Sequence, residues 1–312
     1  MIISASRRTD IPTYYAEWLE NRIREGYALV RNPMNPAQVS RVSLAPQDVD
    51  GMVLWTKNPL PLMSRLSALD AYMYVVQFTL NGYGRDIETN LPDKDAVLVP
   101  AFRRLAERIG PERMIWRYDP ILICEGWGVE AHLRAFEHLA AQLHSCTGTC
   151  TISFVDDYRA AGKRMAALGM RPPTLEEMHA LAAGLSEIAH GYGIAIHTCA
   201  EEIDLQQYGI GHARCVDDRL FERLLGRPLY AGRDRNQRKA CGCAQSVDIG
   251  AYDTCMNGCL YCYANHSGGI LAQRRAAHDP RSPMLCGWPA PQDRVTERGV
   301  KRNGGEQLRF DL

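Results

Sequence analysis

Several features are missing from this chain, and each absence narrows the reading. No apolar run approaches the roughly 18 residues needed to span a bilayer, so no membrane role is expected. The start, MIISASRRTD, has neither the long apolar core nor the cleavage site of a secretory signal, which points to the cytoplasm. No GxGxxG loop follows a strand-like run, and no P-loop, HExxH or Ser-His-Asp set is present. Dinucleotide-binding, NTPase and hydrolase readings therefore lack support. Net charge is also absent, with 36 Lys and Arg against 36 Asp and Glu. It is unevenly spread: from residue 214 onward basic residues outnumber acidic ones 16 to 11, and the remainder reverses this at 20 to 25. A mildly basic C-terminal part permits an anionic partner without demonstrating one.

Cysteine, by contrast, is abundant. Of eleven, eight fall from residue 199 onward: Cys199, Cys215, Cys241, Cys243, Cys255, Cys259, Cys262 and Cys286. In a reducing compartment such clustering favours metal ligation or catalysis over a disulfide framework. Cys124, Cys146, Cys150 and Cys286 are assigned to packing.

The first 200 residues alternate strand-like and helical runs. Buried parallel strands are expected at MIISAS (1–6), YALVRN (27–32), GMVLWTKN (51–58), YMYVVQFTLN (72–81), RMIWRYDPILI (113–123), TCTISFVDD (149–157) and IAIHTCAE (194–201). Amphipathic helices lie between them, several stopping at a glycine such as Gly26, Gly110 or Gly193. This alternation predicts an α/β fold, a (β/α) TIM-like barrel, partial or full, over residues 1–230. Residues 231–312 read as a Cys-rich segment with an irregular tail, folding back over the C-terminal face of the strands.

In such a barrel the functional face is built from the C-terminal strand ends. Arg7, Arg8, Asp10, Arg31, Asn32, Lys57, Asn58, Gln77, Asn81, Arg117, Asp119, Asp156, Asp157, His197 and Glu201 would converge there. Arg117 and Asp119 stand out, because a charge inside the apolar run MIWRYDPILI is costly unless paired or used. The arginines Arg7, Arg8, Arg31 and Arg117 suggest an anionic substrate. His197 and Glu201, flanking Cys199, could bond a substrate or act in proton transfer, or be satisfied, partly buried groups.

The most specific signal is the stretch DTCMNGCLYCYAN, residues 253–265. Its C-x3-C-x2-C spacing gives three thiolates from one short loop, enough for three corners of a [4Fe–4S] cube with one iron left open. The stretch resembles the cluster motif of the radical S-adenosylmethionine superfamily. The whole chain, with SRRTDIP, WTKNP, RYDPI and the late CGC…DIG…TCMNGCLYCYAN, resembles domain-of-unknown-function family 1848. The resemblance implies that Cys255, Cys259 and Cys262 hold a [4Fe–4S] cluster and that S-adenosyl-L-methionine binds its open iron. It also implies that Tyr261 lies near the adenine and that Lys57 contacts the cofactor; Asn58, Arg7 and Arg8 at neighbouring strand ends are further candidates to bind it. In the superfamily the motif follows the first strand; here that position is SRRTDIP, without cysteine.

Cys199, Cys215, Cys241 and Cys243 make a ligand set of the size used by a second [4Fe–4S] cluster or by Zn2+. Cys199 and Cys215 read equally well as small buried apolar residues. Three functions follow. One is a radical enzyme, taking electrons from a donor such as a flavodoxin or ferredoxin and acting on a small-molecule or nucleic-acid-derived substrate. The second is a zinc-stabilised module binding nucleic acid or protein. The third is an iron–sulfur electron-transfer or sensor protein that never cleaves S-adenosylmethionine.

Overall fold

The computed structural model describes residues 1–156 and 159–300. Asp157 and the tail from 301 lie outside the described residues. The strands are β1 (Ile2–Ala5), β2 (Tyr27–Arg31), β3 (Gln38–Ser43), β4 (Gly51–Thr56), β5 (Tyr74–Thr79), β6 (Met114–Ile121), β7 (Thr149–Phe154), β8 (Ala195–Thr198), β9 (Gly211–His212), β10 (Ser246–Asp248) and β11 (Arg294–Glu297). Eight form one parallel sheet in the order β10-β1-β4-β5-β6-β7-β8-β9. β9 and β10 are its ends, and among the described residues no pairing joins them.

The helices are α1 (Ile11–Tyr14), α2 (Ala16–Glu25), α3 (Leu60–Met63), α4 (Val99–Ile109), α5 (Val129–Leu143), α6 (Arg159–Ala167), α7 (Leu175–Gly191), α8 (Asp218–Leu225) and α9 (Gly268–Ala276). Local signals set their ends. Thr174 and Glu177 form a reciprocal capping box at the start of α7, and Gly26, at φ 77°, terminates α2 in the left-handed conformation.

Alternate strand residues face two different cores, which is why the strands read as continuous apolar runs. Ile3, Leu54, Val76, Phe78, Trp116 and Ile152 belong to the main core with residues of α2, α4, α5 and α7. Trp116 stacks on Phe136 of α5 at 4.7 Å between ring centres. Full burial of such a ring stabilises by about 1.5–3 kcal/mol. Ile2, Val53, Val75 and Ile115 point the other way, into a smaller core with Val216 and with Phe221 of α8. Gly51 makes room for that ring: a Cβ there would lie 2.3 Å from it. One step toward the C-terminal strand ends, this second face turns polar, with Ser4, Trp55, Gln77 and Arg117.

A buried histidine in the main core gives a pH prediction. His132 of α5 is fully buried, with its Nε2 donating to the Leu122 carbonyl at 2.8 Å and its Nδ1 3.1 Å from the Tyr118 hydroxyl. Burial lowers its pKa from 6.5 to about 4, so the folded state holds it neutral. The unfolded chain takes up the proton first, so this contribution is complete above about pH 6.5 and drains as the pH falls toward 4. The stability gap between wild type and His132→Gln should narrow by about 3 kcal/mol between pH 7 and pH 4, measured by urea unfolding.

Two expectations need amendment. YALVRN is not a strand of the parallel sheet: β2 pairs antiparallel with β3, and β11 joins on the other side to make a separate three-stranded sheet. The half-exposed pattern of β2 reflects that place, which periodicity over five residues does not reveal. Arg31 therefore lies away from the strand ends and binds Asp293 through two 2.6 Å contacts. The segment beyond residue 230, expected to fold onto the barrel, also supplies one of the main sheet's strands, β10, beside β1.

Candidate metal centre

The loop carrying Cys255, Cys259 and Cys262 is pinched at its base by the Asp253 N–H bonding the Ala264 carbonyl at 2.9 Å. Three neighbouring segments, and the stretch's own Asn265, then hold its backbone. The Tyr15 hydroxyl donates to the Thr254 carbonyl at 2.6 Å, and Asn265 Nδ2 to that of Cys255 at 2.7 Å. Asn90 Nδ2 donates to the Met256 carbonyl at 2.8 Å, and Arg164 of α6 to that of Cys262 at 3.0 Å. Leu260 N–H bonds the Ile87 carbonyl at 3.0 Å. Gly258 has φ +70°, and a Cβ there would lie 2.1 Å from Thr89 Oγ1, so the close approach of the two loops requires glycine.

The loop sits at C-terminal strand ends. Asp10, just after β1, is buried and accepts from the Lys57 N–H at 2.8 Å and from Asn257 Nδ2 at 3.1 Å. It thereby joins the ends of β1 and β4 to the cysteine loop. Cys255 and Cys259 are buried and Cys262 is half-buried. Burial pushes the Cys259 thiol up to about 12 despite the pull of Lys57. Burial likewise raises Cys255, so without a nearby cation of higher charge Cys255 and Cys259 stay protonated; a metal centre would supply that charge. The Ala264 N–H already points at Cys262 Sγ from 3.3 Å, the kind of donor that supports a ligating thiolate.

Beside Cys259 lies a buried charge network. Glu88 accepts from Lys57 Nζ at 2.7 Å, Lys94 Nζ at 2.6 Å, Asn81 Nδ2 at 3.3 Å, and the Tyr261 hydroxyl. Burial opposes its charge, but the two lysines outweigh that and hold it at about 2. Lys57 is raised, since Glu88 and Cys259 more than offset its burial. Tyr261 is thus turned into the protein, with its hydroxyl on Glu88 and its ring 6.0 Å from that of Tyr83. Glu88 and Lys94 carried no signal in the sequence, because the loop GRDIETNLPDK has no periodicity or motif.

The second cysteine group lies on the polar stretch of the second face. Cys199 Sγ is 3.0 Å from Cys215 Sγ, and the thiols of Cys215 and Cys241 both adjoin that of Cys243. Arg117 of β6 belongs here rather than beside the loop. It donates to Cys215 Sγ at 3.1 Å and to Gln77 Oε1 at 3.2 Å, and pairs with Asp119. Arg117 and Arg7 each lie over the Trp55 ring, at 5.3 and 5.1 Å. Asp119 also interacts with Lys57, so Lys57, Asp119 and Arg117 run between the two cysteine groups.

The remaining sequence candidates have local partners. Arg8 lies over Tyr252 at 5.3 Å and 3.9 Å from Asp248. Asn58 Oδ1 accepts from the Leu60 N–H at 3.2 Å, opening α3. Glu201 accepts from the Phe154 N–H at 3.0 Å, and burial raises its pKa to about 7. His197, half-buried, is lowered by burial. The arginines read as substrate anchors thus each have a carboxylate, aromatic or sulfur neighbour already.

Among the described residues, no group of three or more His, Cys, Asp or Glu side chains is placed so that it could hold a metal ion. No helix among them is long and apolar enough to cross a membrane. Fold and site together define a parallel α/β protein with two separate thiol groups, one at the strand ends and one on the sheet's second face. The chain belongs to the family whose model matches residues 2–264, a domain of unknown function, DUF1848. No curated protein matches it. A solved structure from Bacteroides thetaiotaomicron VPI-5482, titled as a candidate alpha-L-fucosidase, is 11% identical with a TM-score of 0.28, over 75% of this chain and 87% of that one. Likeness at that level carries no argument.

Proposed function

We propose that this protein is a radical S-adenosylmethionine-type iron–sulfur enzyme whose [4Fe–4S] cluster is held by Cys255, Cys259 and Cys262. The observation that supports it is the setting of the C-x3-C-x2-C loop: three thiols on a backbone-anchored loop at the C-terminal strand ends, beside Lys57. When bound, the cluster would supply one-electron reduction of S-adenosyl-L-methionine. Three protein thiolates leave one corner of the cube for that cofactor.

The chain's own residues do the rest. Lys57 offsets the thiolate charge, and Glu88 fixes its ammonium in place. Asp10 keeps the strand ends and the cysteine loop in register. The buried Tyr83, Ile87 and Leu122 pack against Cys259 and Tyr261 and keep water from that side. Cys262 is the most exposed of the three thiols, so an electron donor of the flavodoxin or ferredoxin class would approach there.

Protein purified without oxygen should be brown, hold about four iron and four sulfide at this loop, and convert S-adenosylmethionine to 5′-deoxyadenosine after reduction. Colourless protein containing only zinc would overturn the proposal. Iron–sulfur protein that never cleaves the cofactor would leave an electron-transfer or sensor role in its place.

A further inference from the structure

We infer that Cys199, Cys215, Cys241 and Cys243 bind a thiophilic metal centre of their own, a tetrathiolate zinc or iron–sulfur site independent of the C-x3-C-x2-C loop. The inference does not rest on the function proposed above. Its first support is convergence. The four residues come from the end of β8, the turn before α8 and the CGC loop before β10, yet their thiols form a continuous chain of contacts. No helix or strand is described between α8 and β10, and the CGC loop is held at the turn before α8 by the Ala244 N–H bonding the Val216 carbonyl at 2.9 Å. Closing that chain on a metal gives four protein ligands and no open position, the pattern of a structural site.

The second support is charge. Arg7 Nη2 is buried and has no hydrogen-bond partner. Its guanidinium faces Cys243, Cys215 and Cys241, with Asp248 the carboxylate in its neighbourhood. Asp248 is occupied by Ser4 Oγ at 3.1 Å, the Arg7 N–H at 2.8 Å, the Gly250 N–H at 2.9 Å and Ser6 Oγ. Beyond Asp248, the neighbours that can answer the Arg7 charge are the sulfurs of Cys243, Cys215 and Cys241. Four thiolates around a divalent ion, or around a [4Fe–4S]2+ cluster, carry net charge −2, which answers Arg7 and reinforces Arg117.

The third support is that donors already aim at the sulfurs. Arg117 Nη1 reaches Cys215 Sγ at 3.1 Å, and the Val216 N–H lies 3.5 Å from Cys243 Sγ. Donors of this kind orient and tune ligating thiolates. Thiols serving only as packing would have apolar neighbours alone. Here the apolar side is Ile2, Val53, Val75 and Phe221, and the other side is two guanidinium groups.

The test uses the full chain, purified without oxygen, with metals and sulfide counted per chain. The Cys255→Ser/Cys259→Ser/Cys262→Ser variant removes the loop's ligands and isolates this site, so failure of the enzyme reading cannot affect the result. It should retain about one zinc, or about four iron with four sulfide, which separates the two kinds of centre. Adding Cys241→Ser and Cys243→Ser should remove that metal. A folded triple variant without bound metal, or metal unchanged by the two further substitutions, would overturn the inference. If the five-fold variant does not fold, the triple variant's own metal content decides in the same way.

Discussion

Under the proposed function, Cys259→Ala should leave the loop unable to hold iron while the parallel sheet stays folded. Two of three protein thiolates remain, too few to hold a cube at three corners, so iron and sulfide at this loop should fall from about four each to near zero. The fold should survive because Cys259 packs in a small satellite group with Tyr83, Ile87 and Tyr261, outside the main core. The loop's anchors are backbone bonds that alanine preserves, including the Leu260 N–H to the Ile87 carbonyl. A cost of about 1 kcal/mol is typical of a single substitution and would lower the melting temperature by roughly 2–4 °C. Metal analysis with a circular dichroism melt checks both halves. Loss of the whole fold would contradict the independence of sheet and loop.

Glu88→Ala should produce the largest loss of stability, about 3–5 kcal/mol, because it strands two buried ammonium groups. Glu88 is 1% exposed and its partners Lys57 and Lys94 only 14% and 15%, so water cannot replace the lost carboxylate. The Tyr261 hydroxyl loses its acceptor at the same time, and Asn81 Nδ2 loses one of its partners. Urea unfolding of the apoprotein reads the effect without any contribution from a cluster. Adding Lys57→Met should recover part of the loss, since it removes one stranded charge. If Glu88→Ala alone costs under about 1 kcal/mol, the network behaves like a surface ion pair and does not fix the loop.

Much of this was legible in the sequence, for reasons that differ by residue. The runs beginning at Gly51, Tyr74 and Met114 are strands because unbroken β-branched and aromatic stretches suit a sheet covered on both faces. YALVRN has the same composition and lies in a different sheet, because composition does not say which partner a strand finds. The strands at 211–212 and 246–248 are too short to leave a periodic trace. Arg117 announced itself as a charge in an apolar run, yet nothing local indicated that its partners would be Asp119 and the thiol of Cys215, 98 residues away.

The sequence by itself determined the alternating α/β plan, membership of the DUF1848 family, and which cysteines were candidates for two centres. Spacing within a dozen residues is a local property, so the three loop cysteines could be grouped without coordinates. Only the tertiary structure decided that this loop lies against Asp10, Lys57 and Glu88, and that Cys199, Cys215, Cys241 and Cys243 meet beside Arg7 and Arg117. Those contacts join segments up to some 250 residues apart. They are set by strand order and by burying charge only where a counter-charge waits, which no local pattern encodes.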